Sequence, residues 1–129
     1  MIGFPSSVRI YLFCMPVDMR NGFNGLSAIV TGSGEDLFSG HLFVFVSKRR
    51  DRIKILTWDN GGFVLWYKRL ELGCYKLPKI SVEQRTMALD SAQLSMLLDG
   101  IDFSRVKRSK KWLPPEKNAT RSDHVVDYC

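Results

Sequence analysis

Between Gly40 and Leu77 the chain carries three apolar runs, HLFVFVS, RIKILTW and FVLWYKRL, separated only by KRRD and DNGG. Runs of β-branched and aromatic residues with turn chemistry between them are strands. Connections this short cannot hold the crossover that parallel pairing requires, so the three strands must form an antiparallel meander. DNGG carries the Asn-Gly pair of a tight hairpin whose central residues need positive φ. Glu71, Leu72 and Gly73 then turn the chain into CYKL, read as a fourth strand.

The flanks of this block change period. VRIYLF, residues 8–13, is bracketed by Pro5 and Pro16 and reads as a first strand. Met19, Phe23, Leu26 and Val30 recur at helical spacing, which predicts a helix from Met19 to Val30 with Asp18 as its N-cap. Gly22 and Gly25 each weaken such a helix by about 1 kcal/mol relative to Ala, so packing must hold it or another backbone must approach it closely. KISVEQRTMAL reads as a polar connection. In DSAQLSMLLDG, Asp90 and Gln93 form a capping-box pattern, Leu94, Leu97 and Leu98 share a face, and Gly100 suits the left-handed position after a helix.

A chain of 129 residues supports one hydrophobic core and not two. The expected fold is therefore α+β: an antiparallel β-meander of about four to five strands flanked by short helices, in a single domain over residues 1–104. Residues 105–129, rich in polar residues and containing a Pro pair, lack apolar periodicity and read as a flexible basic tail. Nineteen Lys and Arg against thirteen Asp and Glu give a net charge of +6. Twelve basic and ten acidic side chains fall before residue 105, and seven basic and three acidic after it, so two thirds of the excess lies in the tail. Such a balance favours an anionic partner, with nucleic acid foremost. Three widely spaced cysteines without a CxxC pair fit a reducing cytoplasm, and no apolar run long enough to span a membrane is present.

The sequence carries no organised set of catalytic groups. His41 and His124 lack the spacing of a metal site or triad, no phosphate-cradling glycine motif is present, and no cofactor is implied. Asp18, Asp51, Asp59 and Asp102 could converge on Mg²⁺ as nuclease carboxylates do, yet each has a local role as cap, turn or helix-end residue. The reading is non-enzymatic, with no metal site.

The sheet carries the stronger signal. Lys48, Arg49, Arg50, Arg52 and Lys54 cluster at the first hairpin, and Lys68 and Arg69 follow on FVLWYKRL. Cations presented together on a hairpin can follow a phosphate backbone, and these seven are the candidate nucleic-acid contacts; the competing reading is a solvated edge that discourages strand aggregation. Alternation puts Arg52, Lys54, Leu56 and Trp58 on one face and Ile53, Ile55 and Thr57 on the other. Trp58 and Trp66 are candidates for a partner interface or for base stacking, beside the plainer reading that they belong to the core.

Taken together, DMRNGFNGLSAIV, GHLFVFVSKRRDRIKILTWDNGGFVLWYKRLELG and LDSAQLSMLLDGIDF resemble, in order and spacing, the accessory protein of the IS66 group of bacterial insertion sequences, the second-reading-frame product labelled TnpB in those elements. The resemblance covers roughly Met1 to Phe103. It implies a small non-catalytic factor encoded beside a separate transposase and needed for efficient transposition, with no catalytic residues to carry over. Two working modes follow: contact with element DNA through the basic hairpin and tail, or an adaptor docked on the transposase through Trp58 and Trp66 with no DNA contact. The oligomeric state is open.

Overall fold

The computed structural model describes residues 7–79, 81 and 83–102. The predicted tail, His124 among it, lies outside them. Seven elements follow in order: β1 (Ile10–Phe13), α1 (Phe23–Gly32), β2 (Leu42–Val46), β3 (Arg52–Asp59), β4 (Gly62–Arg69), β5 (Thr86–Leu89) and α2 (Ser91–Leu98). They build one five-stranded sheet in the order β4-β3-β2-β1-β5.

The meander β2-β3-β4 is antiparallel throughout, as the short connections require. Asn60 and Gly61 both take positive φ, 45° and 93°, giving the two-residue loop that DNGG encodes. The sheet as a whole is mixed, which corrects the expectation of a purely antiparallel one. β1 pairs with β2 in parallel, Ile10 opposite Leu42 and Leu12 opposite Val44, because α1 lies between them and supplies the crossover.

Two further corrections concern the last strand. CYKL does not join the sheet; Cys74 and Tyr75 are buried, and the Tyr75 N–H donates to the Arg50 carbonyl at 2.6 Å. The fifth strand instead comes from Thr86–Leu89, inside the stretch read as a connection, and pairs antiparallel with β1.

Both faces of the sheet are covered, which explains why no strand alternates cleanly between apolar and polar. On one face Ile10, Leu12, Val44, Ile53 and Ile55 pack with Leu94 and Leu97 of α2 and with Tyr75. On the other Phe13, Phe43, Phe45 and Leu56 pack with Leu26 and Val30 of α1. Every residue of β2 is buried. A fully buried side chain of this kind stabilises the fold by roughly 1.5–3 kcal/mol.

The helix ends differ. α2 carries the predicted capping box: Asp90 Oδ1 accepts from the Gln93 N–H at 2.8 Å and Gln93 Oε1 accepts from the Asp90 N–H at 2.9 Å. Gly100 follows at φ 76°. α1 begins four residues later than predicted, with Gly22 as an N-cap that offers no side-chain acceptor. Asp18 belongs to the loop before it. A Cβ on Gly25 would fall against the Asn21 side chain, so the close neighbour this glycine admits is that loop.

Candidate nucleic-acid interface

The late start of α1 leaves Pro16 to Gly22 as a connection running from β1 along the end of the sheet. It is tied down twice. The Val17 N–H donates to the Val46 carbonyl at 3.0 Å, and Lys54 Nζ donates to the carbonyls of Met19 and Asn21 at 2.7 and 2.8 Å. Beside it projects the β2–β3 loop, closed by the Ser47 N–H to the Arg52 carbonyl at 3.0 Å and by the Arg50 N–H to the Ser47 carbonyl at 2.9 Å. Arg50 takes φ 63°, a left-handed conformation held from both sides, because its own carbonyl is the acceptor for Tyr75. The loop is thus a fixed platform.

Between loop and connection lies an open groove of about 540 Å³ lined by Arg20, Lys48, Arg49 and Arg52 on the cationic side and by Asp18 and Asp51 on the anionic side. Lys48, Arg49 and Arg50 are exposed and make no ion pair among the described residues. Arg52 is half-buried, its guanidinium 3.4 Å from the Tyr67 hydroxyl. Arg20 is held by Asp18, whose carboxylate accepts from its guanidinium and from its backbone N–H. Those side-chain and backbone hydrogen bonds bring the Asp18 carboxyl down to about 2, from an ordinary value of 3.8. Asp51 accepts from the Ser47 hydroxyl at 3.2 Å.

Of the seven candidate cations, the structure gathers Lys48, Arg49, Arg50 and Arg52 at this end of the sheet. Arg69 stands directly across from Arg52 and is paired with Glu71 at 2.8 Å, which raises its pKa further. Lys54 is only 7% exposed; its ammonium sits over the Tyr67 ring, 4.6 Å from the centroid, as well as on the two carbonyls. Lys68 faces the opposite side of the sheet, and its Nζ donates to the Leu98 carbonyl at 3.1 Å, a cation at the negative end of α2. Lys54 and Lys68 therefore do not join the groove.

The two tryptophans are also separated. Trp58 lies opposite Phe63 on the α1 side, edge-on to Phe38 and Phe63, while Trp66 lies opposite Ile55 on the α2 side and is 41% exposed. Arg20 is the groove residue that sequence reasoning passed over. Asp18 read as a helix cap, which hid that Asp18 and Arg20 share a loop.

Among the described residues no three His, Cys, Asp or Glu come together in a way that would hold a metal ion. His41 accepts the Arg9 N–H on Nδ1. No helix among the described residues is long and apolar enough to cross a membrane.

A mixed sheet between two short helices, with the exposed Lys48, Arg49 and Arg50 side by side on the β2–β3 loop, defines a small α+β protein with a candidate anion-binding edge. The family is set by comparison: the model of the IS66 Orf2 like protein family matches residues 8–108, so the chain belongs to that family. It is 40% identical over 110 residues to the Sinorhizobium fredii protein named "Uncharacterized protein y4jC", covering 84% of this chain and 92% of that protein. A second protein of that organism, "Uncharacterized protein y4hO", is 33% identical over 115 residues, 88% of this chain and 96% of the relative. No solved structure matches the chain.

Proposed function

We propose that the protein is a non-catalytic accessory factor in the transposition of its insertion element, working beside the element's transposase and contacting DNA through the β2–β3 hairpin. Membership of the IS66 Orf2-like family supports the accessory role. The observation that carries the DNA contact is the exposure of Lys48, Arg49 and Arg50 on a fixed loop, unpaired by any described carboxylate, with Arg52 at its base. Phosphate binding needs mobile charged tips on an anchored backbone, and this arrangement provides both. Arg69 is a weaker contributor because Glu71 shares it, although an exposed pair of that kind is easily exchanged for a phosphate. Lys54 and Lys68 act within the fold.

The test is a salt titration of binding to element-end DNA, with and without transposase. Removing one cation that neutralises a phosphate should flatten the slope of log affinity against log salt by roughly 0.9. Reversing Lys48, Arg49 and Arg52 to Glu together should therefore weaken binding to every sequence and flatten the slope by about two to three. Unchanged salt-sensitive binding by that triple variant would overturn the assignment and leave the adaptor mode, in which the transposase alone is contacted.

A further inference from the structure

We infer that β4 is a dimerisation edge: two copies of this chain pair their β4 strands antiparallel across a twofold axis centred on Leu65, joining two five-stranded sheets into one.

β4 uses only half of its backbone groups on β3. A two-residue loop closes on a hydrogen-bonded pair, here Asp59 and Gly62, so the ladder to β3 uses Gly62, Val64, Trp66 and Lys68. Two observed bonds keep the same parity, Leu70 N–H to Asp51 carbonyl at 2.7 Å and Ser47 N–H to Arg52 carbonyl on the far side of β3. The N–H and C=O of Phe63, Leu65 and Tyr67 accordingly point away from β3, where the sheet ends. Among the described residues nothing pairs with them, which leaves a row of donors and acceptors along the middle of an eight-residue strand.

Natural sheets protect such edges with shortness, charge or proline. The opposite edge obeys this: β5 is four residues long. β4 does not, since its centre reads Phe-Val-Leu-Trp-Tyr with its charges only at the end. Val64, Trp66 and Tyr67 are 47%, 41% and 49% exposed.

A second copy fits this edge better than an arbitrary strand, because β4 complements itself. Centred on Leu65, antiparallel pairing sets Leu65 against Leu65 of the other copy, Val64 against Trp66, and Phe63 against Tyr67, so each exposed apolar side chain meets an apolar neighbour on its own face. Lys68 falls opposite Gly62, which has no side chain to disturb its bond to Leu98. In this register Lys68 and Arg69 fall opposite Gly62 and Gly61 of the other copy, so the cations of the two strands are kept at opposite ends of the pairing. Parallel pairing would stack like on like. The symmetry is closed, as an isologous contact must be.

Sedimentation of the full chain should give twice the 14.8 kDa chain mass, falling towards one on dilution. Leu65→Pro removes an outward N–H at the axis itself, which an edge strand tolerates, and should yield a monomer with unchanged circular dichroism. Should that variant fail to fold, cysteine pairs decide. Leu65→Cys sets two sulfurs across the axis on a hydrogen-bonded pair about 5.5 Å apart at Cα, within disulfide reach, whereas Tyr67→Cys sets them several residues apart. Under oxidation Leu65→Cys should run as a reducible dimer well above the level of the unaltered chain, and Tyr67→Cys should not. A wild-type monomer at every concentration, or equal cross-linking by the two cysteine variants, overturns the inference.

Discussion

A buried ammonium survives only when oxygens or an aromatic face replace its water, and Lys54 has both: two loop carbonyls and the Tyr67 ring. From composition alone it counts as one more cation of a basic strand. Its position decides otherwise, because it shares the α1-facing row with Leu56 and Phe45, and the connection to α1 folds across its tip. Lys54→Met keeps the aliphatic stem but leaves the Met19 and Asn21 carbonyls without their donor. Urea unfolding should show a destabilisation of roughly 1–3 kcal/mol. The salt slope of DNA binding by the variant, measured where it remains folded, should match that of the wild type, since the proposed DNA contact does not include the buried Lys54 ammonium. A flattened slope would return Lys54 to the interface. The candidate cations were thus legible by type and number, but the side chain's destination was not, because it depends on a loop more than thirty residues away in the chain.

At the scale of the element, what could be read from sequence was whatever local chemistry decides. The Asn60-Gly61 loop and the Asp90–Gln93 capping box involve groups a few residues apart, so their geometry is written in the immediate sequence. β5 was not legible: TMAL has no alternation long enough to register, and its strand conformation is imposed by β1, which lies more than seventy residues earlier. The same non-locality made β1–β2 parallel. Asp18 illustrates a local signal with two outcomes, since its carboxylate can cap a helix or hold a following Arg, and Arg20 is the partner it takes. The two helix starts therefore differ in how much a substitution should matter. Asp90→Ala deletes the acceptor for the Gln93 N–H and half of a reciprocal pair, and should cost about 1 kcal/mol in thermal or urea unfolding. α1, with glycine at the corresponding position, relies on Leu26 and Val30 instead. A negligible effect of Asp90→Ala would mean that packing of Leu94 and Leu97 alone holds α2.

Across the whole molecule, stability is graded from the centre of the sheet to its ends. β2 is paired on both sides and buried along its full length, and β3 has four consecutive buried residues, Ile53 to Leu56. Among the described residues β5 is paired on one side only, and it has one buried residue, Leu89, although α2 follows it directly. Regions with few buried apolar contacts open at a lower free energy than the core does. Native-state hydrogen exchange should therefore find the amides of Val44 and Ile55 exchanging only with global unfolding, while those of β5 and α2 exchange earlier and as a single unit. The proposed DNA-contacting hairpin connects β2 to β3, two strands with long buried stretches and neighbours on both sides. A rigid hairpin presents its cations without an ordering cost, whereas one on β5 would have to be fixed on binding. If Ser47, Arg50 and Arg52 amides, which close that loop, exchange as slowly as the core strands, the platform is preorganised. Exchange of these amides at the rate of β5 would instead mean that the loop orders only on its partner.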